Sequence, residues 1–107
     1  MNKYTELSDF EINKKVAEYL KLNTIAYERT EIVLFDDMDA TPFDPCNNSA
    51  DAMPIVFENG ISLISDWNEV GVWGATNQPW CSSENKNPLR AAMEVFLMMR
   101  DAENEKV

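Results

Sequence analysis

The sequence contains no histidine. Imidazole is the commonest base at neutral pH, so a serine or cysteine nucleophile here would lack its usual partner. No G-x-S-x-G elbow, phosphate-binding glycine loop or dinucleotide fingerprint offers another route. The standard hydrolase mechanisms are excluded, and a non-enzymatic protein is expected. Cysteine is also scarce. Cys46 and Cys81 are too few for a disulfide scaffold and, without histidine, cannot complete a four-ligand zinc site, so two reduced thiols and no metal or cofactor are expected. Long apolar runs are missing too: the longest, Val95 to Met99, falls far short of the roughly 20 residues of a membrane span. The opening MNKYTELSDF lacks the apolar core of a signal peptide, which points to a soluble chain in the cytoplasm with no membrane partner.

Positive charge is absent from the middle of the chain. All nine Lys and Arg lie in residues 3 to 29 or 86 to 106, whereas residues 30 to 85 carry ten acids and no cation. The net charge of −10 therefore belongs to the middle, and the two ends cancel. Such a surface repels a phosphate backbone, which excludes general nucleic-acid binding. It confers solubility, and it also suits attraction of a basic protein surface.

What is present is an ordinary globular composition, with 45% hydrophobic and 26% charged residues in 107. That is one domain, residues 1–107. Ser8-Asp9-Phe10-Glu11 forms a capping box, Leu7 and Ile12 a hydrophobic staple, and Ile12, Val16, Tyr19 and Leu20 an apolar helix face. Thr30 to Phe35 reads as a buried strand. Asp36 to Asn48 is an irregular loop, and Asp51 is the expected cap of a short helix that places Pro54 in its first turn and ends at Asn59-Gly60. Ile61 to Ile64 and Val70 to Ala75 suggest a hairpin across Asp66, Trp67 and Asn68, and Gln78 to Asn87 reads as a second polar loop. The last helix opens at Asn87-Pro88. Its apolar residues cover roughly 220° of a helical wheel, and Leu97 interrupts the remaining stripe of Arg90, Glu94 and Asp101. A helix so apolar is either central to its own domain or buried against another copy, and a homo-oligomer, most simply a dimer, is the expectation drawn from it. The order α-β-α-β-β-α gives an α+β class, a small antiparallel sheet of about three strands with helices packed on its faces.

Chemistry-bearing residues concentrate in Phe43-Asp44-Pro45-Cys46-Asn47-Asn48-Ser49-Ala50-Asp51-Ala52-Met53-Pro54. A thiol, amides and a carboxylate at a helix entrance can present donors to an anionic or carbonyl-bearing ligand, or can serve as a capping turn that satisfies its own backbone. If there is a binding site, Cys46, Asn47, Asn48, Asp51 and Met53 are its expected border, with Trp73 or Trp80 and Arg90 opposite. Arg90 can equally form an i,i+4 pair with Glu94 on an exposed helix surface. Asp37-x-Asp39-x-Thr41 begins like a calcium loop, but Pro42 stands where that loop needs Gly and Asn48 where it needs Glu.

Three segments together, Glu6 to Asn13, Asp44 to Ile55 and Asn87 to Met99, resemble the NinX-like family of lambdoid phages and prophages. The chain departs from that family's usual central motif at Ser49, where Pro is usual, and at Met53, where Trp is usual. The resemblance implies an α-β-α sandwich and an accessory phage protein working in the cytoplasm of a bacterial host; it carries no functional residues to transfer. Two functions fit: a protein that binds and blocks or redirects a host protein, and one that sequesters a small nucleotide-like ligand.

Overall fold

The computed structural model describes residues 3–77 and 81–105. Its elements are α1 (Asp9–Tyr19), β1 (Thr24–Tyr27), β2 (Ile32–Phe35), α2 (Ser49–Asn59), β3 (Ser62–Ile64), β4 (Trp73–Asn77), β5 (Cys81–Asn85) and α3 (Pro88–Glu105). β1 and β2 form a two-stranded antiparallel sheet, and β3-β4-β5 a three-stranded one. The class is α+β, with two strands more than the sequence pattern suggested.

Helix α1 starts as its cap requires, Ser8 Oγ accepting the Glu11 amide at 3.1 Å. Its buried side includes Phe10, Ile12, Val16 and Ala17, together with the polar Asn13. Helix α2 corrects the expected cap. Asn48 is the capping residue and its side chain accepts the Ala50 amide at 2.9 Å, so the helix begins at Ser49 and Pro54 lies inside it. Asp51 is occupied elsewhere, its carboxylate accepting the Asp44 amide from the preceding turn at 2.9 Å. Gly60 closes the helix in the left-handed conformation, φ +62°, that glycine adopts most readily.

The strand expected over 30 to 35 is shorter and is buried on one side only. Val33 faces the core, whereas Ile32 is exposed. Its first partner, β1, pairs Thr24 with Phe35 and Tyr27 with Ile32. Along the other edge, Phe35 donates to Thr41 O at 2.9 Å and Phe43 to Val33 O at 2.8 Å. The hairpin of β3 and β4 forms as the sequence suggested, Leu63 opposite Ala75. The region read as a second polar loop contains β5. Its pattern escapes a hydrophobic scan because the inward residues are Cys81 and Ser83, small side chains alternating with exposed Ser82 and Glu84.

Helix α3 packs on β4 and β5 and also against α1 and α2. Every residue from Arg90 to Leu97 is buried, polar ones included. Leu97, which interrupts the polar stripe, is thus covered within the chain itself, while Leu89, Met98 and Met99 remain partly buried. No helix among the described residues is long and apolar enough to cross a membrane.

A single close approach fixes the turn between β3 and β4. A Cβ placed on Gly74 would lie 2.3 Å from the Trp67 ring, and Trp67 is itself held by its amide to Val72 O at 2.8 Å. Gly74→Ala must displace a ring. The expected cost is about 1 to 3 kcal/mol, read as a lower urea midpoint with an unchanged slope.

Candidate functional site

The segment from Asp44 to Asp51 turns at the meeting point of α1, α2 and the start of α3, and hydrogen bonds engage the side chains of Asp44, Asn47, Asn48 and Asp51. Asn13 Nδ2 donates to Asp44 Oδ1 at 2.7 Å, and Asn13 Oδ1 accepts the Cys46 amide at 3.1 Å. Asn47 Nδ2 reaches Asp9 Oδ2 at 3.2 Å and both Asp44 oxygens at 3.2 and 3.3 Å. Asn87 Nδ2 donates to Cys46 O at 2.6 Å and to Asn47 Oδ1 at 3.3 Å, while Asn87 Oδ1 caps α3 by accepting the Leu89 amide at 3.0 Å. Cys46 is fully buried with Sγ 3.9 Å from Asp9 O, and that burial pushes its thiol well above the ordinary range. A thiol so placed is inert rather than nucleophilic.

Arg90 belongs to the same junction, but its surroundings correct the exposed i,i+4 reading. The pair with Glu94 exists, Nε to Oε2 at 2.7 Å, yet it is interior: the Glu94 side chain is 0% exposed and that of Arg90 8%. Arg90 Nη1 meets Asp9 Oδ1 at 2.6 Å, and Nη2 donates to Tyr4 O at 2.9 Å and Leu7 O at 2.6 Å. The second Glu94 oxygen accepts the Ser83 hydroxyl from β5. Burial alone would make the guanidinium easier to deprotonate, but the bonds to Asp9 and Glu94 outweigh it and hold the proton more firmly.

The structure therefore brings Cys46, Asn47 and Arg90 together with Asn13, Asp44 and Asn87, and uses them to join elements. Asn48 and Asp51 serve the entrance of α2, and Met53 packs partly buried against the core. Trp73 stands opposite Asn85 on β5 and is half-buried. Its link to the junction is indirect, Asn85 Oδ1 accepting the Asn87 amide at 2.9 Å. Trp80 lies outside the described residues.

Arg90→Ala strands a buried carboxylate and two carbonyls, and a loss of about 3 to 5 kcal/mol is expected in urea unfolding. Arg90→Lys retains the charge without the planar fork and should lose more than about 1 kcal/mol. Asn48→Ala, which removes a cap, costs about 1 kcal/mol.

Two hollows lie away from this junction or at its edge. A cleft of about 500 Å³ is lined by Lys3, Tyr4, Lys15, Glu18, Tyr19 and Asp101. Within it Tyr19 donates to Asp101 Oδ1 at 2.6 Å, Tyr4 donates to Oδ2, and Lys3 lies 3.3 Å away. Burial opposes ionisation of Asp101, but the hydrogen bonds from Tyr19, Tyr4 and Lys3 prevail and hold its carboxyl below the ordinary value. The sequence reading missed this group because its members come from opposite ends of the chain. A second hollow, of about 240 Å³, lies between α1, β2 and the segment from Pro42 to Asn47.

A carboxyl with a depressed folded-state pKa contributes stability above its unfolded value and loses it as pH falls through the folded value. The stability difference between wild type and Asp101→Asn should thus be present at neutral pH and fade below about pH 4. Urea midpoints of both proteins across that range test the sign.

A family model described as Bacteriophage P22, NinX matches residues 3–100. Comparison with curated proteins and with solved structures gives no match. The matched span takes in α1, both sheets, α2 and most of α3, including all of the junction just described. By that span, the chain belongs to the NinX family of bacteriophage P22.

Proposed function

We propose that the chain is a non-catalytic binding protein that engages a basic surface on a protein of the phage's host through its acidic central segment. The observation that carries this reading is how the charges are paired. The ion pairs among the described residues use Asp9, Glu28, Glu94, Asp101 and Glu103, all outside residues 30 to 85. Of the ten acids inside that segment, eight are exposed: Glu31, Asp36, Asp37, Asp39, Glu58, Asp66, Glu69 and Glu84. Unpaired surface charge of one sign contributes little to the fold and much to the rate at which an oppositely charged partner arrives. Asp36, Asp37 and Asp39 also surround Met38, whose side chain is wholly exposed, so an apolar contact lies within the negative field.

The test is capture of a partner from host lysate, followed by kinetics with the purified pair. Asp36→Lys/Asp39→Lys spares Asp37, whose Oδ1 holds the turn by accepting the Asp39 and Ala40 amides. The double reversal should slow association about tenfold or more, and added salt should slow the wild type. Association indifferent to both counts against the proposal.

A second reading, sequestration of a small nucleotide-like ligand, draws on the cleft that carries Lys3, Lys15, Tyr4 and Tyr19 rather than on the residues around Cys46. Its volume of about 500 Å³ suits a small molecule. Thermal stabilisation by a nucleotide, abolished by Lys15→Glu, would favour this reading over the first.

A further inference from the structure

The hairpin of β1 and β2 has two unlike faces. Ile25 stands opposite Leu34 and Tyr27 opposite Ile32, so these four share a face; Thr24, Ala26, Val33 and Phe35 share the other. The second face is the inner one, with Val33 buried and the Phe35 ring edge-on to Phe43 at 5.6 Å. The first is turned to solvent: Ile25 is 41% exposed, Tyr27 46% and Ile32 43%. Strand side chains normally alternate apolar inward and polar outward, and a ribbon apolar on both faces is suited to being covered on both.

At Ile32 this outer face runs into the hollow of about 240 Å³, whose apolar wall includes Phe10, Pro42 and Phe43 and whose carboxylates are Asp9, Glu31 and Asp44. Asp9 is neutralised by Arg90. Glu31 and Asp44 have no ion-pair partner among the described residues, but the Asp44 carboxylate is already taken by the amides of Asn13 and Asn47, which leaves Glu31 as the carboxylate open to a cation. Lys14, whose ammonium lies 5.6 Å from the centre of the Phe10 ring, is engaged with Glu28 at 3.4 Å, and Arg29 lies in the hairpin turn. The combination is a hollow with apolar walls and an acidic rim that meets the apolar strip at Ile32. An anionic headgroup or a phosphate is repelled there. A long cationic side chain could lay its methylene stem against the rings and bring its charged end to Glu31.

We propose that the outer face of β1 and β2, with the adjoining hollow, is a docking surface for a protein segment that carries apolar side chains beside an arginine or lysine. It rests on the reading of the acidic segment as a protein-binding region and specifies where on it the partner sits. Ile25, Tyr27, Ile32 and Leu34 supply the apolar centre, and the exposed Glu31 receives the cation, an arrangement of apolar core and charged rim common to specific interfaces.

The probe is an eight-residue peptide alternating isoleucine and arginine, with a second peptide that replaces each arginine by glutamate, titrated into the ¹⁵N-labelled full chain. The arginine peptide should move the amides of residues 25–34 and 42–47, the glutamate peptide should leave them in place, and Ile32→Thr and Glu31→Gln should each weaken binding fivefold or more with unchanged thermal midpoints. Equal response to both peptides, shifts centred on the Tyr4–Tyr19 cleft, indifference to both substitutions, or movement of the same amides by anionic phosphatidylglycerol vesicles alone would overturn the proposal. The host partner separates it from the broader reading. If association is slowed by Asp36→Lys/Asp39→Lys but untouched by Ile32→Thr and Glu31→Gln, the docking face is wrong and the acidic-segment reading stands; if association ignores all of these changes, both fail.

Discussion

The fold is organised around one buried ion pair, Arg90 with Glu94, on the helix that forms the centre of the core. Two charges inside a protein are costly to desolvate, and they are tolerated only where their remaining hydrogen-bonding capacity is met. Here it is met by three separate parts of the chain. The guanidinium takes the carbonyls of Tyr4 and Leu7 and the carboxylate of Asp9, and Glu94 takes the Ser83 hydroxyl. The pair therefore dictates where the N-terminal segment, α1 and the three-stranded sheet stand relative to α3. Hydrophobic contact alone would hold these elements together with less say over their register.

The segments that carry the family resemblance are the ones that meet at this junction. Asp9 and Asn13 come from the first, Asp44, Cys46 and Asn47 from the second, and Asn87 and Arg90 from the third. Asparagine does much of the joining, because one amide can donate and accept at once: Asn13 and Asn87 each bond in both directions. The family signature reads as a signature of construction. The surface proposed for recognition lies elsewhere, on the hairpin of β1 and β2 and the acidic residues that follow it.

The sequence made plain those features that depend on neighbours in the chain. Ser8 and Asn87 cap the helices expected of them, Gly60 ends α2, and β3 and β4 pair as a hairpin, each from a signal spanning only a few residues. What escaped depends on distant partners. Arg90 and Glu94 have the spacing of an exposed pair, and only the interruption of their stripe by Leu97 hinted that this side of the helix is covered. Asn48 displaced Asp51 as cap because Asp51 is held by the Asp44 amide across the turn. β5 was hidden because its inward positions are filled by Cys81 and Ser83, the latter pointing at a buried carboxylate rather than at a hydrophobe. The cleft around Asp101 unites residues with no relation along the chain.

The position of α3 in the chain bears on how the molecule comes into being. The helix against which α1, α2 and the three-stranded sheet all pack follows each of them in sequence, and Arg90 reaches back 86 positions to Tyr4. During synthesis the earlier elements emerge before the surface they need, with the apolar sides of α1 and α2 uncovered. Native closure must then join widely separated segments, and such long-range contacts slow folding because loop entropy is lost before they form. Packing of α1, α2 and the three-stranded sheet is thus expected to be completed only after residues 88–105 have been made.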